Sequence, residues 1–319
     1  MEIIQLLNRL RTGLSRAVGE NTADGLLLSG GLDSGILAHL SPRQKMITVS
    51  LEGGGRDCDY VSLLDETLGL DTIRVTVGME EALESLKHVI KILKSFDPAL
   101  PNDLVVYFGL KEAKERGLSS IMMGDGADEL FAGYSYMKDV SNLQAYIQAL
   151  SGTMTFSSNQ IGTYFGLEVK QPYLDPDFME LALCVQTDYK IRKDKGTMWG
   201  KWILRKAFEP ELPPAFIWQE KRPLETGSGM TLLRKLIADR ITDKEFEEKQ
   251  RIYPVQFLCK EHVRFYEVYR DEVGVIPPPQ AGEGRCPGCG AGLRQWRNHC
   301  RICGWVRPDL VFLKRNEVK

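Results

Sequence analysis

The stretch LLLSGGLDSG, residues 26–35, decides the fold. Its apolar run stops at a Ser-Gly-Gly turn, and a second apolar stretch carrying an acid and a hydroxyl follows at once. Gly25–Leu28 reads as a strand and Leu32–Leu40 as a helix, joined by Ser29, Gly30 and Gly31. Two glycines allow a tight turn and let backbone N–H groups approach a ligand closely. The helix N-terminus adds partial positive charge. Together they make an anion site suited to phosphates, to which Ser29 and Ser34 add hydroxyl donors. Asp33 is out of place beside phosphates until a cation is included, so it reads as a Mg²⁺ ligand. The alternative is a plain Ser-Gly helix cap. The G-x-x-x-x-G-K-[ST] pattern of γ-phosphate-transferring loops is absent.

Outward from that loop, strand-like and helix-like segments alternate to about residue 135. Met46–Leu51 is β-rich, Cys58–Leu68 helical, and Thr72–Val77 a strand. Glu80–Leu93 and Asp103–Glu115 are helical, and Ser120–Met123 gives a fourth strand. This alternation predicts an α/β fold, a Rossmann-like parallel sheet covered on both faces. Ligands of such sheets bind beyond the carboxyl ends of the strands. From about 136 to 272 helical patterns dominate, as in Asp177–Val185, Met198–Phe208 and Leu232–Ile241, which predicts a helical lobe. Residues 1–272 are thus one domain. Residues 273–284 (VGVIPPPQAGEG) read as a Pro/Gly linker, and 285–319 as a compact tail.

Length and composition set bounds. At 319 residues the chain suits one large domain or two unequal ones, and 43% hydrophobic residues allow a sizeable core. A net charge of -2 argues against a strongly basic nucleic-acid binder overall. The N-terminal apolar residues Ile3, Ile4, Leu6, Leu7, Leu10 and Leu14 recur at helical spacing, as in an amphipathic helix and unlike a signal peptide. No apolar run is long enough to span a bilayer, so the expectation is a cytoplasmic protein with no membrane partner. Of seven cysteines, Cys58, Cys184 and Cys259 are scattered and read as buried or inert thiols. Cys286, Cys289, Cys300 and Cys303 form two C-x-x-C pairs, a pattern that favours metal over disulfides in a chain with no export signal.

A second motif, SSIMMGDGADELFAGY (119–134), ends the fourth strand and again turns into a helix. Asp125, Asp128 and Glu129 place three acids together, where repulsion is costly without a cation. SGGLDS resembles the PP-loop of ATP pyrophosphatases, which cleave ATP between the α and β phosphates. GDGADELFAGY resembles the second signature of the asparagine synthetase family, in its synthetase domain. GLEVKQPYLD (166–175), KGTMWGKWILRKAF and LPPAFIWQEKRPLETGSG (within 195–229) resemble further segments of that family, in the same order. The resemblance covers about residues 1–230.

The resemblance implies roles. Ser29, Gly30, Gly31, Asp33 and Ser34 would hold pyrophosphate, while Leu28, Leu51 and Gly124 would flank the nucleoside of ATP. Asp33 and Asp128 would share Mg²⁺. Lys221 aligns with a late catalytic lysine that neutralises charge on the reacting phosphate. Asp125 stands where a family acid steers the nitrogen nucleophile, and Glu168 is assigned to the same task. The implied reaction is adenylation of a carboxylate or an amide-type oxygen, then displacement of AMP by ammonia or an amine. Without that context Lys221 reads as a surface lysine, and Asp128 and Glu129 as helix N-terminal acids. Tyr173, Leu174 and Phe178 read as core. His39 and His262 receive no role.

The pattern also departs from the family. Residue 2 is glutamate, where glutamine-using members carry a nucleophilic cysteine and a glutaminase domain. The expected nitrogen source is therefore free ammonia, a separate glutaminase subunit, or an amine on another molecule. Lys170 replaces a family arginine, and the two are not equivalent at a carboxylate fork. Trp199 and Trp202 add bulk nearby. These changes count against aspartate as acceptor. The tail resembles a zinc ribbon: four thiolates favour Zn²⁺ and close a tetrahedral structural site, with His299 a bystander. From Arg285 to Lys319 it carries eight Lys or Arg against Asp309 and Glu317, with Trp296 and Trp305 among them. Such a tail suits either RNA or a docking or dimerisation role. Three readings stand: a ligase acting on a small-molecule acid, a tRNA-modifying enzyme delivered by the ribbon, and a non-catalytic nucleotide-binding subunit. A homodimer is compatible with each.

Overall fold

A computed structural model describes residues 3–294 and 297–307. Trp296, Asp309 and Glu317, named above for the tail, lie outside the described residues. The main sheet holds β1 (Gly25–Leu27), β2 (Lys45–Leu51), β3 (Thr72–Val77), β4 (Ser120–Met122) and β5 (Glu168–Lys170). Its order is β3-β2-β1-β4-β5, and every pairing is parallel. The central strand β1 is buried throughout. Its leucines alternate between faces, as a period of two requires. Leu27 joins one core cluster with Ile47, Val49 and Leu51, while Leu26 and Leu28 join the other with Met46 and Met122. An uninterrupted apolar run is the signature of a parallel strand covered on both sides.

Helices α1 (Ile3–Glu20), α2 (Leu32–Leu40), α3 (Asp57–Leu68), α4 (Met79–Leu93), α5 (Leu100–Glu115) and α6 (Ala127–Phe131) complete the first half. α1 buries Leu10, Leu14, Ala17 and Val18, whereas Ile4 is exposed. From β1 the chain moves to β2 and β3 on one side, then crosses to β4 and β5 on the other. The strand order therefore reverses between β1 and β4, where open sheets of this class bind ligands. Register pairs Leu26 with Met122, so the two carboxyl ends are level.

Two segments differ from the sequence reading. β5 arises within the stretch where helical patterns dominate, because three residues with polar ends give no periodic strand signal. Met198 also lies outside any helix. Arg192–Asp194 (β6) and Thr197–Trp199 (β7) form an antiparallel hairpin, and the helix starts only at Trp202. Lys195 and Gly196 turn that hairpin with positive φ at both residues, the geometry tight hairpins favour.

The ribbon opens with β8 (Glu283–Arg285) and β9 (Gly292–Arg294), so Glu283 and Gly284 are strand and not linker. Its two knuckles repeat one geometry. Gly290 N–H donates to Cys286 O and Gly304 N–H to Cys300 O, both at 2.8 Å. Both glycines have positive φ, 77° and 73°, which accounts for the glycine after each pair. The ribbon is docked on the main body. Phe96 N–H donates to Ile302 O and Gln256 N–H to Gly288 O, both at 2.7 Å. His299 Nε2 lies 2.8 Å from Asp97 Oδ2. Phe96, itself fully buried, packs edge-on to Tyr266 and Tyr269. No described helix is long and apolar enough to cross a membrane.

Candidate active site

The phosphate loop is shaped by close approach. Gly30 has φ +74°, and a Cβ there would lie 2.6 Å from Asp57 O. Only glycine fits. Beyond it, α2 begins at Gly31 with no side-chain cap, which leaves its first N–H groups for an anion. Ser34 Oγ accepts from Ser29 N–H at 3.1 Å, donates to Gly31 O at 3.2 Å and lies 3.0 Å from Ser29 Oγ. The hydroxyls thus brace the turn. Tyr173 O–H donates to Asp33 O at 3.1 Å.

Above the loop lies a cavity of about 280 Å³, lined in part by Ser29, Gly31, Asp33, Lys201, Lys221 and Arg222. Asp33 and Asp128 converge here from separate strand ends. Lys201 Nζ lies 2.6 Å from Asp33 Oδ2 and 2.5 Å from Asp128 Oδ1, and Lys221 Nζ lies 2.6 Å from Asp128 Oδ2. Burial raises the pKa of Asp128, but Lys201 and Lys221 outweigh it and hold the carboxyl well below its usual range. Burial lowers that of Lys221, but Asp128 and Asp33 reverse the sign. Asp33 Oδ1 is buried and accepts no hydrogen bond, whereas Asp128 Oδ1 is held by the Lys201 ammonium. Two carboxylates with unmet lone pairs beside a phosphate loop fit a hard divalent cation, the donor set Mg²⁺ takes.

Asp125 follows β4 and points elsewhere. Its Oδ2 accepts from Ser158 Oγ at 2.6 Å and Gln171 Nε2 at 2.9 Å. Burial raises its pKa, against those two bonds. Burial also pushes Asp103, at the start of α5, up to about 7. Leu28, Leu51 and Gly124 sit at the carboxyl ends of β1, β2 and β4. The leucine side chains belong to the core, and Gly124 packs against Asp33. The structure does not bring Glu168 to this cluster. It opens β5 in register with Ser120, the first residue of β4, is largely exposed, and pairs with Lys170 at 2.6 Å. That is the amino end of the sheet, opposite the loop.

The sequence reading passed over several residues of this site. Lys201 and Arg205 stand in the quoted KWILR segment without a role. Arg205 is buried behind the aspartates, donates to Gly200 O at 3.1 Å and Gln219 O at 3.0 Å, and to Ile217 O. Desolvation pushes its pKa down to about 10. A second lock joins three segments. Arg222 Nη2 donates to Asp57 Oδ1 at 2.9 Å and to Gln219 Oε1 at 2.8 Å, and Gln219 Nε2 donates to Gly30 O at 3.2 Å. The signal for Asp57 was the glycine-rich GGGRD following β2, at another carboxyl strand end.

The four ribbon cysteines are buried free thiols whose sulfurs all lie within 4.8 Å of one another. Cys286–Cys303 and Cys289–Cys300 are 3.7 and 3.8 Å apart. A tetrahedron with metal–sulfur bonds of about 2.3 Å has an edge near 3.8 Å, so the set fits one thiophilic ion. His299 turns to Asp97 instead. Of the remaining thiols, read as buried or inert, Cys58 and Cys259 are half-buried and Cys184 is exposed. Burial pushes Cys259 up to about 12.

The chain matches the asparagine synthase family model over residues 8–160 and 147–264. The glutamine-hydrolysing asparagine synthetase of Asparagus officinalis is 27% identical over 274 residues, covering 76% of this chain and 46% of that protein. A probable glutamine-hydrolysing asparagine synthetase of Dictyostelium discoideum is 27% identical over 266 residues, covering 72% and 48%. The chain spans about half the length of the curated relatives it matches. Among solved structures, the U34-tRNA thiolase NcsA from Methanococcus maripaludis aligns over 85% of this chain and 81% of its own, at 11% identity and a TM-score of 0.33; that likeness is too distant to inform the fold.

Proposed function

The chain belongs to the asparagine synthase family, and from that premise we propose that it is an ATP-dependent carbon–nitrogen ligase that releases AMP and pyrophosphate. One observation carries the reading. The SGGLDS loop and the GDGADE motif, about a hundred residues apart, meet at the switch point of the sheet, with Lys221 on Asp128 between them. In the proposed reaction an acceptor carboxylate or amide-type oxygen attacks the α-phosphorus, and the bond to the β-phosphate breaks. Ammonia or an amine then attacks the activated carbon, and AMP leaves with the acceptor's oxygen.

This chain's own residues do the holding. The N–H groups of α2 and the loop bind the departing pyrophosphate. Lys221 offsets charge as it develops, a role preorganised by its ion pair. Asp33 and Asp128 would hold Mg²⁺, which supplies charge neutralisation when bound. Asp125, oriented by Ser158 and Gln171 and kept easily protonated by burial, positions the nitrogen nucleophile or takes its proton. The nucleophile of the second step is ammonia or an amine.

A second reading makes the acceptor a tRNA base. Arg297 and Arg301 on the ribbon have their pKa values lowered by burial and then by a neighbouring guanidinium, Arg294 and Arg297 respectively. Clustered guanidiniums favour a polyanion.

The test uses an acceptor pool labelled with ¹⁸O. The proposal predicts one label appearing in AMP. Label in inorganic phosphate, or ADP as product, would refute it. Label arriving only from a tRNA pool selects the second reading.

A further inference from the structure

We propose that Lys201 is a built-in occupant of the divalent-cation position: it closes the Asp33–Asp128 pair to free metal and yields the place only when a nucleotide brings the metal in. The inference deepens the ligase reading and rests on it for the nucleotide step alone.

The geometry is that of a cation cage already filled. The Lys201 ammonium stands between two carboxylates from different strand ends, 2.6 and 2.5 Å away. Its side chain is 3% exposed. Nothing about this placement is incidental to the backbone. Lys201 has φ 54°, in the left-handed region, which is strained for a non-glycine residue. A Cβ on Gly133 would lie 2.1 Å from Lys201 Cε, and one on Gly200 would lie 2.4 Å from Ala132 O. Two close approaches and one strained residue thus converge to insert this ammonium.

Charge argues for a gate. Asp33, Asp128, Lys201 and Lys221 sum to zero. A bare divalent cation entering this group, whose Lys201, Asp33 and Asp128 side chains are only 3%, 15% and 14% exposed, leaves a double positive excess, which is unfavourable where water is mostly excluded. A triphosphate removes that penalty and offers Lys201 another partner within the same cavity. Of the two buried cations beside the aspartates, Lys201 and Arg205, Lys201 is the one able to move. Arg205 is pinned by three carbonyls and lies over the Trp199 ring, whereas a lysine is a point charge on a flexible stem. Asp33 Oδ1, buried without a hydrogen bond, and Asp128 Oδ1, freed of the ammonium it now contacts, are the capacity that a metal gains when Lys201 withdraws. By linkage, metal and nucleotide must then strengthen each other's binding equally.

Mn²⁺ electron paramagnetic resonance on the full chain tests this. Wild type should leave Mn²⁺ free without nucleotide and bind it once α,β-methylene-ATP is added. Lys201→Gln should bind Mn²⁺ alone at least roughly tenfold more tightly than wild type. Lys201→Arg should stay closed, and Asp33→Asn added to Lys201→Gln should abolish the gain. Wild type binding Mn²⁺ as tightly alone as with the analogue would overturn the proposal. So would a Lys201→Gln chain, folded by circular dichroism, that gains nothing. If Lys201→Gln does not fold, the wild-type pair of titrations decides. If the analogue does not bind wild type at all, the ligase reading fails and the metal-alone titrations decide the gate.

Discussion

Lys221 Nζ lies 2.6 Å from Asp128 Oδ2 and joins residues 93 apart in sequence. That pair favours the catalytic role proposed for Lys221 over a surface one. A lysine flanked by Glu220 and Arg222 invites the bland reading, but its partner is the buried acid of the second motif. Lys221→Met should therefore lower the rate of pyrophosphate formation by about 10²–10³-fold, while ATP affinity falls far less. Quench-flow and equilibrium dialysis separate the two. Equal losses in both would make Lys221 a simple binding residue.

The phosphate loop has no room for a side chain at its turn. Gly30→Ala places a Cβ 2.6 Å from Asp57 O at φ +74°. The expected cost is about 2–4 kcal/mol of stability, with nucleotide binding lost. Urea unfolding and dialysis check this. Gly53→Ala, with nothing within 4 Å but φ +92°, should cost only the backbone strain and serves as the control.

Burial, reinforced by Asp128, pushes Glu129 from 4.5 up to about 7. The folded state then holds a proton that the unfolded state has lost. This group's stabilisation is therefore full below about pH 4.5 and falls as pH rises to about 7. His262 works the other way: burial pushes it from 6.5 down to about 4, so stability is lost as pH falls through that window. Glu129→Gln removes only the first effect. Relative to wild type its stability should rise between pH 4.5 and 7 and level off above. A constant offset across urea midpoints in that range would contradict the assignment.

The ribbon's metal should be structural for more than the ribbon. Cys289→Ser should lower the metal content by one equivalent and lower Tm by roughly 5 °C or more. It should also raise hydrogen exchange at Phe96 and Asp97, the residues that hold Ile302 and His299. His299→Ala should leave the metal in place and loosen only the docking. A metal-free ribbon with unchanged exchange at Phe96 would show the two parts to be independent.

Much of the fold was legible because it follows from local pattern. LLL at 26–28 and the alternation to residue 135 specify buried parallel strands, and paired glycines mark the turns. β5 and the β6–β7 hairpin were not legible. Each strand is three residues long, with polar or exposed residues placed by pairing and not by periodicity. At the site, the sequence order of motifs gathers Ser29, Asp33, Asp128 and Lys221 as the folded chain does. Glu168 stood in a motif, yet register puts it at the wrong end of the sheet. Lys201 and Asp57 were missed for the converse reason. Their roles come from ion pairs to Asp33 and Arg222, 168 and 165 residues away, and no local spacing carries such a signal.

The proposed ligase cleaves ATP between its α and β phosphates at the Ser29–Ser34 loop. The direct measurement is product analysis with Mg²⁺ and ammonium, against separate pools of cell metabolites and total tRNA, with Asp33→Ala as the control. AMP and pyrophosphate should appear in equal amounts from one pool, and neither from the variant. ADP and phosphate from either pool would contradict it.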